Sequence, residues 1–253
     1  MKNKARILHI DLETMANLAW VWGKYEQDVI AFEQEGFVMS VCHKWHGEKN
    51  VTFKSIADFK GYKPRTPDDK ALMLYIADLL EQADIIVAHN GISFDMKVIY
   101  SRFFKHKIKP PTPSKFVDTK VMAKKYFRLN SNKLDDIGEF TGLGRKVKHE
   151  GFDMWLGCYN GEKKYWNMMK KYNIQDVLLL EKIYTHMLPF MQNHPNVAMY
   201  GSVGFCCTKC GSTNLVKAKR RYMTSGYRQQ YQCKDCHGYS TDKKTVSLTQ
   251  IVA

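Results

Sequence analysis

The sequence predicts an α/β fold, a mixed sheet flanked by helices, followed by a small metal-bound β module at the C-terminal end. Three observations lead there. Short β-rich runs come first and then alternate with helical patterns. A long helical pattern from about Lys163 to Leu188 closes that part of the chain, with Pro189 to stop it. Five of the seven cysteines (Cys206, Cys207, Cys210, Cys233 and Cys236) crowd the last fifth, in paired spacings that read as metal ligands rather than a disulfide framework.

The elements follow in order. Arg6–Leu12 (RILHIDL) is the first strand. Phe37–Trp45 and Val51–Phe53 are the next two, with polar His46–Asn50 as a hairpin turn. Leu72, Ile76, Leu79 and Leu80 recur at helical spacing behind Pro67-Asp68-Asp69. Asp84–Ala88 reads as a buried strand, His89-Asn90-Gly91 as a turn, and Ser93 to Phe104 as a helix that Ser93 would cap. Lys115–Asp118 is a further short strand after the loop of Pro110, Pro111 and Pro113. Ser131 or Asn132 would cap a helix bearing Leu134, Ile137 and Phe140, closed by Gly142 and Gly144. The expected division is a main domain over 1–190, a linker over 191–204 and the metal module over 205–245.

A chain of 253 residues can bury one sizeable core and carry a second module. No run approaches the ~18–20 apolar residues of a membrane helix. The N-terminus, MKNKARILHI, lacks the apolar stretch and cleavage site of a signal peptide. A cytoplasmic protein is the expectation. The net charge of +14 and pI near 9.3 point to a polyanionic partner, of which nucleic acid is the commonest; a merely solvating surface is the bland alternative.

Asp11 and Glu13, in His9-Ile10-Asp11-Leu12-Glu13, lie two apart at the end of the first strand and so project from one face. Two such charges are costly unless a cation neutralises them, and oxygen donors suit Mg²⁺ or Mn²⁺. Alone, the pair equally describes a solvated edge. Asp95, in Asn90-Gly91-Ile92-Ser93-Phe94-Asp95, falls in the first turn of a helix, where the helix dipole favours an acid in any case. Tyr172 and Asp176 lie four apart on one helix face, a spacing common by chance.

Taken in order, these segments resemble the DEDD exonucleases of the ribonuclease H-like superfamily. Tyr172-x-x-x-Asp176 matches the DEDDy branch, similar to the proofreading domain of family B DNA polymerases and to stand-alone relatives, some phage-encoded, which would act in the host cytoplasm. The resemblance covers about residues 6–190, and Asn132-Lys133-Leu134-Asp135-Asp136-Ile137 also resembles that family. It implies a ribonuclease H-like fold and two Mg²⁺ or Mn²⁺ held by Asp11, Glu13, Asp95 and Asp176. Tyr172 would orient the attacking water. Asn90 would help hold the terminal nucleotide, Phe94 would pack beneath Asp95, and Asp118 would either act from behind the metal ligands or serve the fold. Segment 14–36, with Trp20, Trp22 and Tyr25, either lines a nucleotide pocket or covers the sheet edge.

Cys207-Thr208-Lys209-Cys210 and Cys233-Lys234-Asp235-Cys236 are two Cys-x-x-Cys knuckles, the donor set of one structural Zn²⁺. They resemble a zinc ribbon, with Cys206 as an alternative to Cys207. Between Gly204 and Lys244 stand nine Lys or Arg and two acids. Lys217, Lys219, Arg220, Arg221 and Arg228 are interleaved with Tyr222, Tyr227 and Tyr231, which suits phosphate attraction and base stacking; docking onto a protein is the competing reading. The expected function is 3′–5′ exonuclease action, with DNA favoured over RNA. Alternatives are an RNA-directed exonuclease or endonuclease on this scaffold, or an inactive nucleic-acid-binding adaptor. Any proofreading role would require a separate replication or repair protein.

Overall fold

In the computed structural model the described residues are 4–25, 28–148, 150–201 and 204–247. Residues 1–3 of the N-terminus, Glu26 and Gln27 of segment 14–36, His149, Ser202 and Val203 of the expected linker, and 248–253 lie outside them. The chain divides into two compact units, Ile7–Lys182 and Met1–Arg6 with Ile183–Ala253.

The first unit is built around β1 (Ile7–Thr14). Its alternation sends Leu8, Ile10 and Leu12 into the core and leaves His9, Asp11 and Glu13 on the opposite face. A small ribbon, β2 (Leu18–Trp20) with β3 (Ala31–Gln34), occupies segment 14–36. It escaped prediction because strands this short carry little periodicity. Next come β4 (Val38–Trp45), buried along nearly its whole length, and β5 (Val51–Ser55). Helix α1 (Lys70–Glu81) then buries Leu72, Met73, Ile76, Leu79 and Leu80. Strand β6 (Ile85–Ala88), helix α2 (Asp95–His106), strand β7 (Lys115–Asp118) and helix α3 (Thr119–Tyr126) follow. Helices α4 (Leu134–Thr141), α5 (Phe152–Tyr159) and α6 (Lys163–Met187) complete the series.

The sheet order is β5-β4-β1-β6-β7. Strand β1 runs antiparallel to β4 and parallel to β6; β5 is antiparallel to β4 and β7 parallel to β6. The expected mixed sheet flanked by helices is therefore present. Leu8, Ile10 and Leu12 share one core with Leu72, Ile76, Ile99 and Phe103. The pairing of β1 with β6 ends at His9, so Asp11 and Glu13 extend past the neighbouring strand. They therefore lie at the carboxyl ends of the central strands, where open α/β sheets bind ligands.

Two helix starts differ from expectation. Ser93 does not cap α2: Phe94 holds the cap position without a side-chain bond, and the Asn90 carbonyl accepts from the amides of Ser93 and Phe94. Lys133, not Ser131 or Asn132, holds the cap position of α4, because Ser131 turns its hydroxyl to Asp136. Gly142 closes that helix at φ 70°, as expected. Helices α3 and α5 were not anticipated individually: unlike α4, of the same length, neither was marked out by a capping candidate and a closing glycine.

In the second unit β8 (Leu215–Met223) and β9 (Gly226–Cys233) form a hairpin, and β10 (Tyr239–Thr241) and β11 (Val246–Ser247) both pair with β9. The stretch expected as a linker buries Met191 and Val197 and carries a one-turn 3-10 helix, Val197–Tyr200. The buried Lys209 ammonium donates to the carbonyls of Leu188 and Pro189, groups left open where α6 ends. Tyr184 is fully buried and shares a 2.8 Å hydrogen bond with His194. These contacts tie the end of α6 to the residues that follow it.

Candidate active site and zinc centre

Asp11 and Glu13 project from β1, and α6 brings a third acid to meet them. Carboxylate oxygens of Asp11, Glu13 and Asp176 all lie within 4.8 Å of one another. Helix α6 crosses the His9–Asp11–Glu13 face. The Asn173 amide donates to Asp11 at 2.6 Å and accepts from the Ser40 hydroxyl at 3.3 Å, which fixes the Asp11 carboxylate. Asp95 stands at the start of α2 and accepts from the Leu12 amide at 3.3 Å, on the stretch of β1 beyond the β6 pairing. It lies outside the tight trio but within electrostatic reach of Asp11 and Glu13.

Crowding of buried acids shows in their protonation. Burial, then Glu13, Asp95 and Asp176, holds the Asp11 carboxyl well above the usual range. Burial and Asp176 push Glu13 up to about 8, against the pull of Lys146 and an indole hydrogen bond from Trp155. Burial raises Asp95 to about 6, opposed by backbone amides. Asp176 is also raised, by burial, with Lys146 working against it. Lys146 places its ammonium 2.6 Å from Asp176 Oδ2 and 4.8 Å from the Tyr172 ring centroid. Burial lowers its affinity for a proton, but Asp176 more than offsets that. One ammonium does not balance four acids. Asp176 Oδ1 is buried with no hydrogen-bond donor, an unspent acceptor at the centre of an all-oxygen donor set. Those donors fit a hard divalent cation.

Tyr172 is buried one helical turn before Asp176. Burial and the Asp176 charge raise its phenol to about 12, so it stays protonated and able to donate. The Trp155 ring meets it edge-on at 6.1 Å. Asn90 adopts the left-handed region at φ 70°, which Asn tolerates better than most residues. Its amide donates to Asp118, so its backbone already has a turn-forming role. Asp118 accepts from the amides of Asn90, Ile92, Lys120 and Val121 and thereby ties the turn before α2 to the start of α3. Gly91 is required in that turn, since a Cβ there would stand 2.5 Å from that of Ala88. Phe94 is 45% exposed and so is not a residue packed beneath Asp95.

Sequence reasoning missed Lys146, Asn173 and Trp155. Asn173 alone left a signal, three residues before Asp176 on the same helix face. Lys146 sits in a loop without periodicity. Further along β1, His9 Nε2 lies 3.2 Å from His46 Nδ1, and Glu181 binds His46, Lys44 and the Gly47 amide. Burial keeps His9 neutral, its pKa down at about 3. With the Lys44 ammonium already on Glu181, this cluster is a charge-balanced tie between β1, β4 and α6.

In the second unit Cys207, Cys210, Cys233 and Cys236 converge; Cys206 is buried apart from them. The Cys207–Cys236 and Cys210–Cys233 sulfur distances are both 3.6 Å, close to the roughly 3.8 Å edge of a tetrahedron with Zn–S bonds of about 2.3 Å. The Lys209 amide points at Cys207 Sγ at 3.4 Å. Gly211 takes φ 74° and His237 φ 57° in the knuckle turns. A Cβ at Gly238 would stand 2.7 Å from Lys209 Cδ, so a larger residue there would push the lysine side chain aside.

The family model described as the RNase H superfamily matches residues 26–188. Among solved structures the chain is similar to the family B DNA polymerase from the hyperthermophilic archaeon Pyrobaculum calidifontis, at TM-score 0.53 and 15% identity. The likeness covers 73% of this chain but only 25% of that polymerase, and it is a likeness of fold. No curated protein matches the chain in sequence. No helix among the described residues is long and apolar enough to cross a membrane.

Proposed function

Because this chain belongs to the RNase H superfamily, we propose that its acidic cluster is the active site of a metal-dependent 3′–5′ exonuclease of the DEDDy type, with a zinc ribbon that helps hold nucleic acid. The observation that carries the reading is the convergence of Asp11, Glu13 and Asp176, with Asp95 at their edge, on a buried oxygen that has no donor. Two divalent ions held by these four carboxylates would supply charge neutralisation at the scissile phosphate and a water acidified for attack.

The chain's own residues do the rest. Hydrolysis joins the water oxygen to phosphorus, breaks the bond from phosphorus to the 3′ oxygen, and delivers a proton to that leaving oxygen. Tyr172, protonated and one turn from Asp176, orients the water by its hydroxyl and is not the nucleophile. Asn173 holds Asp11 in a single rotamer, and Trp155 does the same for Glu13. Lys146 balances Asp176 while the site is empty of substrate and is placed to stabilise phosphate charge. Asn90 is assigned to the terminal nucleotide by family resemblance. The four cysteines bind one Zn²⁺ in a closed structural site, and the basic β8–β9 hairpin attracts phosphate without reading sequence. DNA is the favoured substrate.

The test is release of mononucleotides from 3′- and 5′-labelled DNA and RNA during Mg²⁺ and Mn²⁺ titration. A ladder receding from the 3′ end supports the reading; cutting of circular single strands overturns it in favour of an endonuclease. Tyr172→Phe removes an orienting hydroxyl but no metal ligand, so kcat should fall roughly 10–100-fold, less than for loss of a carboxylate.

Metal binding should also follow pH. Glu13 at about 8 and Asp95 at about 6 must lose protons to act as ligands. Mg²⁺ affinity, read by isothermal calorimetry, should weaken as pH falls through that range, with protons released on binding. The metal-free protein should respond in the opposite sense. Its folded form keeps a proton on Glu13 that the unfolded chain has lost, so stability falls as pH rises from about 6.5 to about 8, above the range in which the buried neutral His9, His43 and His89 contribute in the opposite sense. A melting temperature that rose across that window would contradict the electrostatics described.

A further inference from the structure

A centre of four acids cannot hold a polyanion by itself, and the compensating charge has a second location besides the ribbon hairpin. From Thr119 to Leu134 the sequence carries Lys120, Lys124, Lys125, Arg128 and Lys133 and no Asp or Glu. Lys124, Lys125, Arg128 and Lys133 are exposed and Lys120 is half-buried. Several cations elsewhere in this unit are held by acids: Lys44 pairs with Glu181, Arg102 with Asp69, Arg145 with Asp135 and Glu139, and Lys146 with Asp176. None of the five makes an ion pair among the described residues. The dipole of α3 favours Lys124 and Lys125 in its last turn, but it gives no reason for Arg128 or Lys133 beyond the helix.

Both ends of this cationic stretch are fastened to the turn that leads into Asp95. At one end Asp118 caps α3 and holds the amides of Asn90 and Ile92. His89 bridges the two ends, with Nδ1 at 2.8 Å from the Thr119 hydroxyl and Nε2 at 3.0 Å from the Asn132 carbonyl. Beside it lies a cleft of about 500 Å³ lined by Arg128, Asn130, Ser131 and Phe140, among others. Phe140 is 76% exposed, a large apolar face without a packing role. The cleft's two acids are engaged, Asp136 by the Ser131 hydroxyl and Glu139 by Arg145.

We propose that the surface from Lys120 to Lys133 carries the backbone of a single-stranded nucleic acid beside the active site, with Phe140 stacking on one of its bases. The inference deepens the nuclease reading and rests on it. Unpaired cations along a fixed path supply sequence-independent phosphate contacts, and an aromatic face on its flank is sequence-tolerant in the same way.

The test compares the full chain with the triple variant Lys124→Gln/Lys125→Gln/Arg128→Gln, and separately with Phe140→Ala. Binding of a fluorescent 12-nucleotide strand is followed by anisotropy over a range of salt, without added Mg²⁺ or Mn²⁺. Each lost phosphate contact should reduce the slope of log affinity against log salt by about 0.7, so the triple variant should lose about 2 in slope. It should also bind the strand at least about tenfold more weakly at low salt. Phe140→Ala should lose on the order of tenfold with its slope unchanged. Lys124→Arg/Lys125→Arg should keep the parent slope, and cleavage of a dinucleotide, which offers a single phosphodiester and no strand to bind, should keep its rate in every variant. An unchanged slope in the triple variant overturns the proposal and leaves the nuclease reading standing. A parent protein that binds with the expected slope but never cleaves removes the nuclease reading and leaves this surface in place.

Discussion

Asp11→Ala and Asp176→Asn should each lower turnover by at least about 10²–10³-fold while the protein remains folded. The first half of that expectation follows from the convergence of the acids: each variant removes a ligand oxygen from a set with few to spare. The second half follows from their electrostatics. Burial and three neighbouring acids hold the Asp11 carboxyl well above its usual range, so ionising it is a cost to the metal-free fold. Removing it relieves that cost but takes an acceptor from the Asn173 amide, so the metal-free protein should stay folded with a melting temperature close to the parent's. Asp176→Asn keeps the side-chain volume and leaves an acceptor for Lys146. Far-UV circular dichroism and thermal unfolding check the fold, and timed hydrolysis of an end-labelled strand checks the rate. Parental turnover in either variant would remove the site as assigned.

Chelation of zinc, or Cys210→Ser, should unfold the C-terminal module and leave the sheet of β1, β4, β5, β6 and β7 intact. Four strands with few buried side chains cannot sustain themselves, and the strands of the hairpin are largely exposed or half-buried. Structural zinc contributes roughly 10–16 kcal/mol to folding in comparably small modules. The Lys209 bonds to Leu188 and Pro189 extend the expectation upstream: amides of the last turn of α6 should lose hydrogen-exchange protection together with the knuckles. Elemental analysis should give one zinc per chain. A ribbon that kept its amide protection after metal removal would contradict this account.

The two predictions rest on different kinds of legibility. The four-cysteine module was readable because its chemistry is local: Cys207-x-x-Cys210 and Cys233-x-x-Cys236 each make their turn within four residues. The acids were readable only as three separate segments, each with an ordinary explanation of its own, and their order along the chain is what made the pattern. The helix caps went wrong at Ser93 and Ser131 for a tertiary reason. The turn before α2 is closed by the Asn90 carbonyl and by Asp118 from another strand, and Ser131 is drawn to Asp136, so local propensity lost to long-range bonds.

By itself the sequence determined the strand and helix periodicities, the pairing of Asp11 with Glu13 on one strand face, the Tyr172–Asp176 spacing and the sulfur ligand set, because each depends on residues within a turn or a few strand positions of one another. Only the tertiary structure decided that α6 crosses β1 so that Asp176 completes the acidic trio, that Asn173, Trp155 and Lys146 hold those acids in place, and that Cys207 rather than Cys206 joins the quartet. Those outcomes depend on burial and on contacts between segments up to 162 residues apart, as in the Asn173 bond to Asp11. No local pattern encodes a distance of that kind.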